Sequence, residues 1–382
     1  MIYLDNAATS WPKPVEVSQA MVQFLGDVGA NPGRSGHRLS IEAARIVYQA
    51  REAVAELFHA SDPMRVIFTA NATAAINLAL NGLLKPGDHV VTSSIEHNAV
   101  MRPLRALENQ GIELSIVQCK PDGSIDPEQV EVALKENTAL IVLAHASNVT
   151  GTLLPVRQVG EIARRKGILL LADEAQTGGA YPVDIQRDCI DLLAFTGHKS
   201  MYGPTGTGGL ILGPEVDPDR ISPLVRGGTG SRSELEEQPL FLPDKYESGT
   251  ANAVGLAGLN ASVRWLLRQG VDGLREKELS IYNRLLEGLD DIHKVILYGC
   301  KQGSHSTALI SFNIQGLEPS HVGLCLDEEF DVLARVGLHC APAAHRTIRT
   351  FPAGTVRFSI GAFTTDAQVD QVLQAVSSIA KT

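Results

Sequence analysis

The sequence has few cysteines, no long apolar run and no concentrated positive charge. Its five cysteines are scattered and include no CxxC pair, so neither a disulfide framework nor a CxxC motif is expected. No stretch approaches the roughly 18 uninterrupted apolar residues of a membrane-spanning helix. The N-terminus lacks the basic and apolar regions of a signal peptide, and the net charge of −10 disfavours nonspecific nucleic-acid binding. We therefore predict a cytoplasmic protein that binds neither membrane nor nucleic acid.

Common nucleotide and metal motifs are absent as well. There is no GxxxxGK[ST], no GxGxxG after a predicted strand, no HExxH and no His/Cys spacing typical of zinc. We therefore expect no nucleotide site and no metal site. The 382 residues, 44% of them apolar and 20% charged, are typical of a globular protein large enough for two domains.

Short apolar strands alternate with helices from residue 66 to residue 212. This alternation predicts a mostly parallel sheet covered by helices on both faces, with ligands beyond the carboxyl ends of the strands. Two helices are predicted before this region, at 15–25 and 41–58. The predicted strands are 66–69, 89–92, 113–117, 139–144, 168–172, 192–195 and 209–212, and the predicted helices between them are 72–84, 99–110, 127–135 and 156–166.

The last third of the chain differs in pattern. A Gly-rich loop at 226–232 precedes a long predicted helix at 253–269. Strands at 308–314 and 356–360 and a final helix at 366–379 follow, which we interpret as a smaller α+β domain. We predict a large domain of residues 13–250 and a small domain formed by residues 1–12 and 251–382.

Two strand ends carry the groups that indicate the chemistry. Lys199 follows the strand at 192–195, and Asp173 ends the strand at 168–172. Desolvation of a lysine lowers its pKa and frees the amine to bond with an aldehyde, and a carboxylate can keep a pyridine nitrogen protonated. Taken singly, Lys199 is better explained as a loop lysine and Asp173 as a helix cap. Together and in this order they predict a site for pyridoxal 5'-phosphate (PLP).

Other strand ends offer groups for a phosphate and an aromatic ring. Ala72 and Thr73 follow Asn71 at the start of a predicted helix, where unpaired N–H groups attract anions. Ordinary capping by Asn71 is the alternative. His97 can stack on a flat ring or be a merely half-buried histidine. Two amides can donate to a phenolic oxygen: Asn148 and Gln176.

The C-terminal part supplies candidates for substrate binding and nucleophilic attack. Arg357 lies on a predicted apolar strand, where a guanidinium needs either a substrate carboxylate or a structural salt bridge as its partner. Cys340 lies in a loop of small residues with Arg335 and His339 nearby. Cationic surroundings favour the thiolate, the nucleophilic form of cysteine. The alternative for Cys340, and our expectation for the other cysteines, is a small buried apolar side chain.

Several motifs together resemble a known family. In chain order they are Asp5-Asn6-Ala7-Ala8-Thr9, Ala72-Thr73, Glu96-His97, Asp173-Glu174-Ala175-Gln176, Gly197-His198-Lys199, Gly228-Thr229-Gly230 and Arg335-Val336-Gly337-Leu338-His339-Cys340-Ala341. This set resembles the class V aminotransferase family and, within it, the cysteine desulfurases and selenocysteine lyases. The resemblance extends over nearly the whole chain.

The resemblance implies the PLP-dependent transferase fold of type I. That is an α/β fold with a mostly parallel sheet in a large domain, a small α+β domain, and a homodimeric assembly. Lys199, Cys340 and His97 are the implied catalytic residues. The implied PLP contacts are Lys199 as the covalent anchor, Asp173 at the pyridine nitrogen, His97 on the ring, Gln176 at the phenolic oxygen, Ala72, Thr73, Thr196 and His198 at the phosphate, and Thr229 at the phosphate of the other subunit. The implied substrate-binding residues are Asn148, Arg357 and Ala8.

The implied reaction converts L-cysteine to L-alanine. Lys199 moves the Cα proton, Cys340 takes up the sulfur as a persulfide, and an acceptor protein or thiol then removes it. L-selenocysteine is an alternative substrate, and an aminotransferase, an epimerase or an inactive scaffold is an alternative function. The chain departs from the family pattern in two places: at Leu338, where many members have a second histidine, and at Ser200-Met201, where one residue is usual.

Overall fold

A computed structural model describes residues 1–33, 35–300 and 305–381. The helices are α1 (Val15–Gln23), α2 (Arg38–Leu57), α3 (Ala72–Leu83), α4 (Asn98–Glu108), α5 (Pro127–Val132), α6 (Val156–Lys166), α7 (Ala253–Gln269), α8 (Val271–Asp290), α9 (Pro319–Phe330), α10 (Pro342–Thr347) and α11 (Asp366–Ile379). The strands are β1 (Ile2–Tyr3), β2 (Val66–Thr69), β3 (His89–Ser93), β4 (Glu113–Val117), β5 (Thr138–Ala144), β6 (Leu169–Asp173), β7 (Leu192–Thr196), β8 (Gly208–Leu212), β9 (Val295–Tyr298), β10 (Leu309–Ile314), β11 (Val332–Leu333), β12 (Arg335–Gly337) and β13 (Thr355–Ser359).

A seven-stranded sheet with the order β2-β8-β7-β6-β5-β3-β4 forms the centre of the larger part. Its pairs are parallel except those of β8, which runs antiparallel to β7 and β2. Apolar side chains of α3 and α4 form a core on one face, and those of α2, α6 and α7 form a core on the other. Helices on both faces explain why these strands are apolar without alternation. The mostly parallel α/β sheet expected from the sequence is confirmed.

Side-chain caps set where two of the site helices begin. The Asn71 side chain accepts a hydrogen bond from Ala74 N at 2.9 Å and starts α3 directly after β2. His97 Nδ1 accepts from Ala99 N at 3.0 Å and starts α4. Such caps satisfy backbone donors that a helix leaves unpaired. Both helix N-termini are thereby placed at the carboxyl edge of the sheet.

The C-terminal part contains a four-stranded sheet, β12-β13-β10-β9, in which all pairs are antiparallel. Side chains of α8, α9 and α11 pack on it, and Ile2 and Leu4 of the N-terminal segment join the same core. Helix α7 instead packs against α1 and α2 of the larger part. The domain limits stay a prediction, and the packing of α7 favours a boundary near Gly270 over one at residue 251.

One difference from the predicted elements has a clear tertiary cause. Strand β12 falls in a segment expected to be a loop, and it is a strand because it pairs with β13. The predicted helix at 127–135 ends at Val132, and five elements were not predicted: β1, β9, β11, α9 and α10. Within the described ranges, no helix has both the length and the apolar character needed to cross a bilayer.

Candidate active site

The carboxyl ends of β3, β5, β6 and β7 surround a cavity of about 280 Å³. Parallel strands place their carboxyl ends at one edge, which explains why residues far apart in sequence meet here. Arg357 is buried beside this cavity without lining it, and Thr229 lines a second cavity. The predicted site residues that line the first cavity are Ala8, Ala72, Thr73, His97, Asn148, Asp173, Gln176, Thr196, His198, Lys199 and Cys340.

Lys199 lies just beyond β7, in the turn that begins with Gly197. Desolvation of its amine lowers the pKa of Lys199 to about 8, and the charge of Asp173 limits this decrease. Arg357 and Arg335 lower it further because they repel a second cation. A larger share of the amine is therefore unprotonated near neutral pH than in an exposed lysine.

Asp173 is buried at the end of β6. Its Oδ1 accepts a hydrogen bond from Ala175 N at 3.0 Å. Burial raises the pKa of Asp173, which the Ala175 N–H and the charge of Lys199 oppose. Among the described residues no hydrogen bond reaches Oδ2. A buried carboxylate with one open oxygen is suited to bind a protonated ring nitrogen.

One end of the cavity carries polar side-chain atoms that have no hydrogen-bond partner among the described residues. Thr196 Oγ1 and His198 Nδ1 are buried and have no hydrogen-bond partner among the described residues. Burial and nearby lysines lower the pKa of His198 to about 4, so its ring is neutral at pH 7. Ala72 and Thr73 at the start of α3 line the same cavity. Buried polar groups normally have partners, and these donors fit the phosphate of PLP.

The His97 ring is held by its own cap. Because Nδ1 accepts from Ala99 N at 3.0 Å, the proton of the neutral ring lies on Nε2. Burial and surrounding cations lower the pKa of His97 to about 4, so the ring is uncharged at pH 7. A neutral imidazole that lines the cavity is suited to stack on a flat aromatic ring.

Glu96 was not assigned a role from the sequence alone. It is fully buried and accepts hydrogen bonds from Ser93 Oγ at 2.5 Å and Ala144 N at 3.0 and 3.1 Å. Burial raises the pKa of Glu96 to about 8. Its carboxyl group joins the ends of β3 and β5, and it thereby fixes the loop that presents His97.

Arg357 forms the structural ion pair that the sequence left as one alternative. Its Nη2 lies 2.8 Å from Asp5 Oδ1, and its Nη1 donates to Asn148 O at 3.0 Å. Its Nε is buried without a hydrogen-bond partner among the described residues. Sequence reasoning missed the pairing with Asp5 because 352 residues separate the two side chains.

Cys340 is held in an unusual backbone conformation at the cavity. His339 and Cys340 have φ values of 48° and 59°, in the left-handed region that L-residues seldom occupy. Hydrogen bonds support the loop: Asn148 Nδ2 donates to His339 O at 2.7 Å, and Asn98 N donates to Cys340 O at 2.9 Å. Arg335 Nη2 lies 3.5 Å from Cys340 Sγ. A guanidinium thus faces an exposed thiol.

The other cysteines are less suited to act as nucleophiles in this cavity. Cys119 and Cys189 are buried, and burial raises the pKa of Cys119 to about 11. Cys300 and Cys325 are half-buried and do not line the cavity. In the described part of the chain, no three His, Cys, Asp or Glu side chains cluster as metal ligands would.

A family model for aminotransferase class V matches residues 2–372. The chain belongs to the class V aminotransferase family. Members of this family depend on PLP, and the donors described above fit that cofactor. The family resemblance and the type I fold expected from the sequence are both confirmed.

Individual members give a finer comparison. A probable cysteine desulfurase of Methanothermobacter thermautotrophicus is 34% identical over 384 residues, covering 99% of this chain and 94% of that protein. The apo structure of a cysteine desulfurase from Thermococcus onnurineus NA1 superposes with a TM-score of 0.92 at 32% identity, covering 100% of this chain and 94% of that one. The Escherichia coli cysteine desulfurase CsdA gives a TM-score of 0.87 at 27% identity, covering 99% and 94% of the two chains.

Proposed function

We propose that this class V enzyme is a PLP-dependent cysteine desulfurase that converts L-cysteine to L-alanine and retains the sulfur as a persulfide on Cys340. One observation carries the proposal: the exposed thiol of Cys340 lines the same cavity as Lys199 and Asp173. A family member that only transfers amino groups needs no thiol at this place. The relatives described as cysteine desulfurases support the same activity.

The cavity residues divide between cofactor and substrate. Lys199 is the proposed covalent anchor, Asp173 the partner of the pyridine nitrogen, and His97 the stacking residue. PLP, when bound, supplies an electron sink for the pair released at the substrate Cα. The phosphate is assigned to Ala72, Thr73, Thr196 and His198, the phenolic oxygen to Gln176, and the substrate to Ala8 and Asn148. Arg357, which is buried beside the cavity, is assigned to the substrate carboxylate as well.

Two side chains of this protein act on the substrate atoms. The Lys199 amine takes the proton from Cα, and a proton is delivered to Cβ as the carbon–sulfur bond breaks. The Cys340 thiolate forms a bond to the substrate sulfur while that sulfur separates from Cβ. The sulfur is oxidised to the sulfane level and the carbon chain is reduced to alanine, so no external oxidant or reductant is needed.

Assembly and location are further parts of the proposal. A homodimer is supported by Thr229, which lines a separate cavity together with Tyr48 and Phe68. In a dimer Thr229 is available to the phosphate bound by the other subunit. A cytoplasmic location is supported by Cys119, Cys189, Cys325 and Cys340, which are free thiols.

Incubation of the PLP-loaded protein with L-cysteine tests the activity. We expect alanine as the product and a gain of one sulfur atom on the peptide that contains Cys340. Mass spectrometry of the digested protein measures both the gain and its position. A keto acid instead of alanine, or sulfur on another cysteine, would contradict the proposal.

Replacement of Arg357 by alanine is expected to raise KM for L-cysteine more than it lowers kcat. Loss of a charge-assisted carboxylate contact costs about 2–5 kcal/mol, including the penalty of leaving the partner unpaired. Steady-state kinetics measure the two parameters separately. An unchanged KM would refute a role in substrate binding.

Asp5→Asn is the matched control for Arg357→Ala. It removes the ion pair at 2.8 Å but keeps the guanidinium. If the pair only stabilises the fold, both variants lower the melting temperature and neither changes KM. If Arg357 also binds substrate, KM rises in Arg357→Ala alone.

The pH dependence of cofactor uptake follows from the lowered pKa of Lys199. Its amine must lose a proton before it bonds to an aldehyde, so the second-order rate of PLP binding to apoprotein should rise about tenfold per pH unit below about 8 and level off above it. Asp173→Asn should move this midpoint lower, because the Asp173 charge raises the Lys199 pKa. Stopped-flow absorbance measures the rate. The usual pKa of a lysine is about 10.5. A rate that still rises between pH 9 and that value would show that the pKa of the Lys199 amine is not lowered.

A further inference from the structure

A groove of about 520 Å³ lies beside the Cys340 loop. Helix α4 forms one wall and α10 the other. Asn98 at the start of α4 donates its N–H to Cys340 O at 2.9 Å, and α10 begins at Pro342, just after Cys340. A molecule bound in this groove therefore lies directly against the loop that carries the thiol.

The groove is cationic on a chain whose net charge is −10. Arg102 and Arg105 line it from α4, and Arg346 lines it from α10. All three side chains are exposed. Arg105 pairs with Glu108 at 2.7 Å, whereas neither Arg102 nor Arg346 takes part in a salt bridge with any described residue. Some arginines elsewhere on the surface, such as Arg45 and Arg284, are paired with carboxylates, whereas others, such as Arg164 and Arg220, are exposed and likewise form no salt bridge with a described residue.

The space between the arginines is partly apolar. Met101 of α4, Ile116 of β4 and Pro342 of α10 line it. An apolar centre with a charged rim is the usual composition of a protein–protein interface. A methionine side chain adapts to different partner surfaces. These features fit a polypeptide segment better than a free anion, which needs no apolar contact.

We propose that this arginine groove, formed by Arg102, Arg105, Arg346, Met101, Ile116 and Pro342, docks an acidic segment of a protein that accepts sulfur from Cys340. The inference rests on the proposed desulfurase function and names the partner of that same site. Opposite charge accelerates encounter and fixes orientation. Because the groove adjoins the loop, an acceptor thiol carried on the docked segment reaches the persulfide.

The transfer step balances without a further reagent. The acceptor thiolate bonds to the outer sulfur of the persulfide, and the bond between that sulfur and Cys340 Sγ breaks. The electron pair of the broken bond remains on Cys340 as a thiolate. The acceptor thiol loses one proton and the Cys340 thiolate can take one up, so the protons balance. One S–S bond forms as another breaks, so the sulfur moves with no net oxidation.

Two synthetic peptides test the groove on the unchanged, PLP-loaded protein. Both carry one cysteine, flanked on each side by two aspartates in the first peptide and by two lysines in the second. After one turnover with L-cysteine, we expect sulfur transfer to the aspartate peptide to be at least about tenfold faster at low ionic strength, and the advantage to shrink in high salt. Mass spectrometry of the peptides measures the transfer. Equal rates for the two peptides would overturn the inference.

Charge reversal tests whether the preference for the aspartate peptide arises in the arginine groove. The double variant Arg102→Glu/Arg346→Glu should lose the preference for the aspartate peptide. The control Arg164→Glu/Arg220→Glu changes net charge equally at two exposed arginines outside the groove and should keep it. A preference that survives in the first variant, or is lost in both, would contradict docking in the groove.

Two further measurements separate the possible causes of failure. Sulfide release with dithiothreitol does not need the groove, so its absence in the unchanged protein would refute the proposed function and not the docking site. Sedimentation compares the assembly state of both variants with the unchanged protein. Dissociation caused only by Arg102→Glu/Arg346→Glu would identify the groove as a contact between copies of this chain and overturn the inference.

Discussion

Lys199→Ala is expected to abolish the visible absorption band that forms when PLP is added to the apoprotein. The variant lacks the amine that anchors the cofactor, and borohydride reduction should leave no cofactor mass on the protein. Alanine formation from cysteine should fall by at least about 10²–10⁴-fold, the range that a positioned general base contributes. Absorbance and intact-mass measurement check the anchor independently of activity.

Lys13→Ala is the matched control for Lys199→Ala. Desolvation lowers the pKa of Lys13 to about 8 as well, and its Nζ donates to His198 O at 3.3 Å beside the phosphate end of the cavity. If any desolvated lysine near the cavity could anchor PLP, the two variants would behave alike. We expect the band to persist in Lys13→Ala. A band that persists in Lys199→Ala would contradict the assignment of Lys199 as the covalent anchor of PLP.

Cys340→Ala is expected to retain the PLP band but to lose persulfide formation and at least about 10²-fold in alanine production from cysteine. Removal of a covalent nucleophile can cost as much as ~10⁶-fold. Alanine keeps the Cβ, so the left-handed backbone at this position bears the same strain as with cysteine. Product analysis and peptide mass measure the two losses.

Cys325→Ala serves as the control for the thiol, since Cys325 is half-buried and does not line the cavity. It should form the persulfide normally. Full activity of Cys340→Ala on selenocysteine together with loss on cysteine would show that the enzyme accepts both substrates. Full activity on both would refute attack by Cys340.

The strand-end residues of the large sheet were predictable from local pattern. Apolar runs bounded by polar residues place Asp173 and Lys199 at carboxyl ends, and parallel pairing brings those ends to one edge. The roles of these residues came from motif order and family resemblance, because spacing alone left ordinary caps and loop lysines as alternatives. Those roles stay predictions until the variants are measured.

The ion pair between Asp5 and Arg357 is a contact that local sequence pattern does not predict. Nothing near either residue indicates the other, because the contact depends on the N-terminal segment lying against β13. The same holds for Glu96, whose partner Ala144 lies on another strand. Long-range contacts depend on how elements pack, and sequence periodicity reports only whether an element has an apolar face.

By itself, the sequence determined the alternation of strands and helices, the strand-end positions of most cavity residues and the family. Only the tertiary structure decided that Cys340 adjoins the cavity of Lys199, that Arg335 faces its thiol, and that exposed arginines of α4 and α10 flank its loop. The physical reason is that apolar burial specifies elements locally, whereas a site is formed by side chains from elements that meet only when the chain has packed.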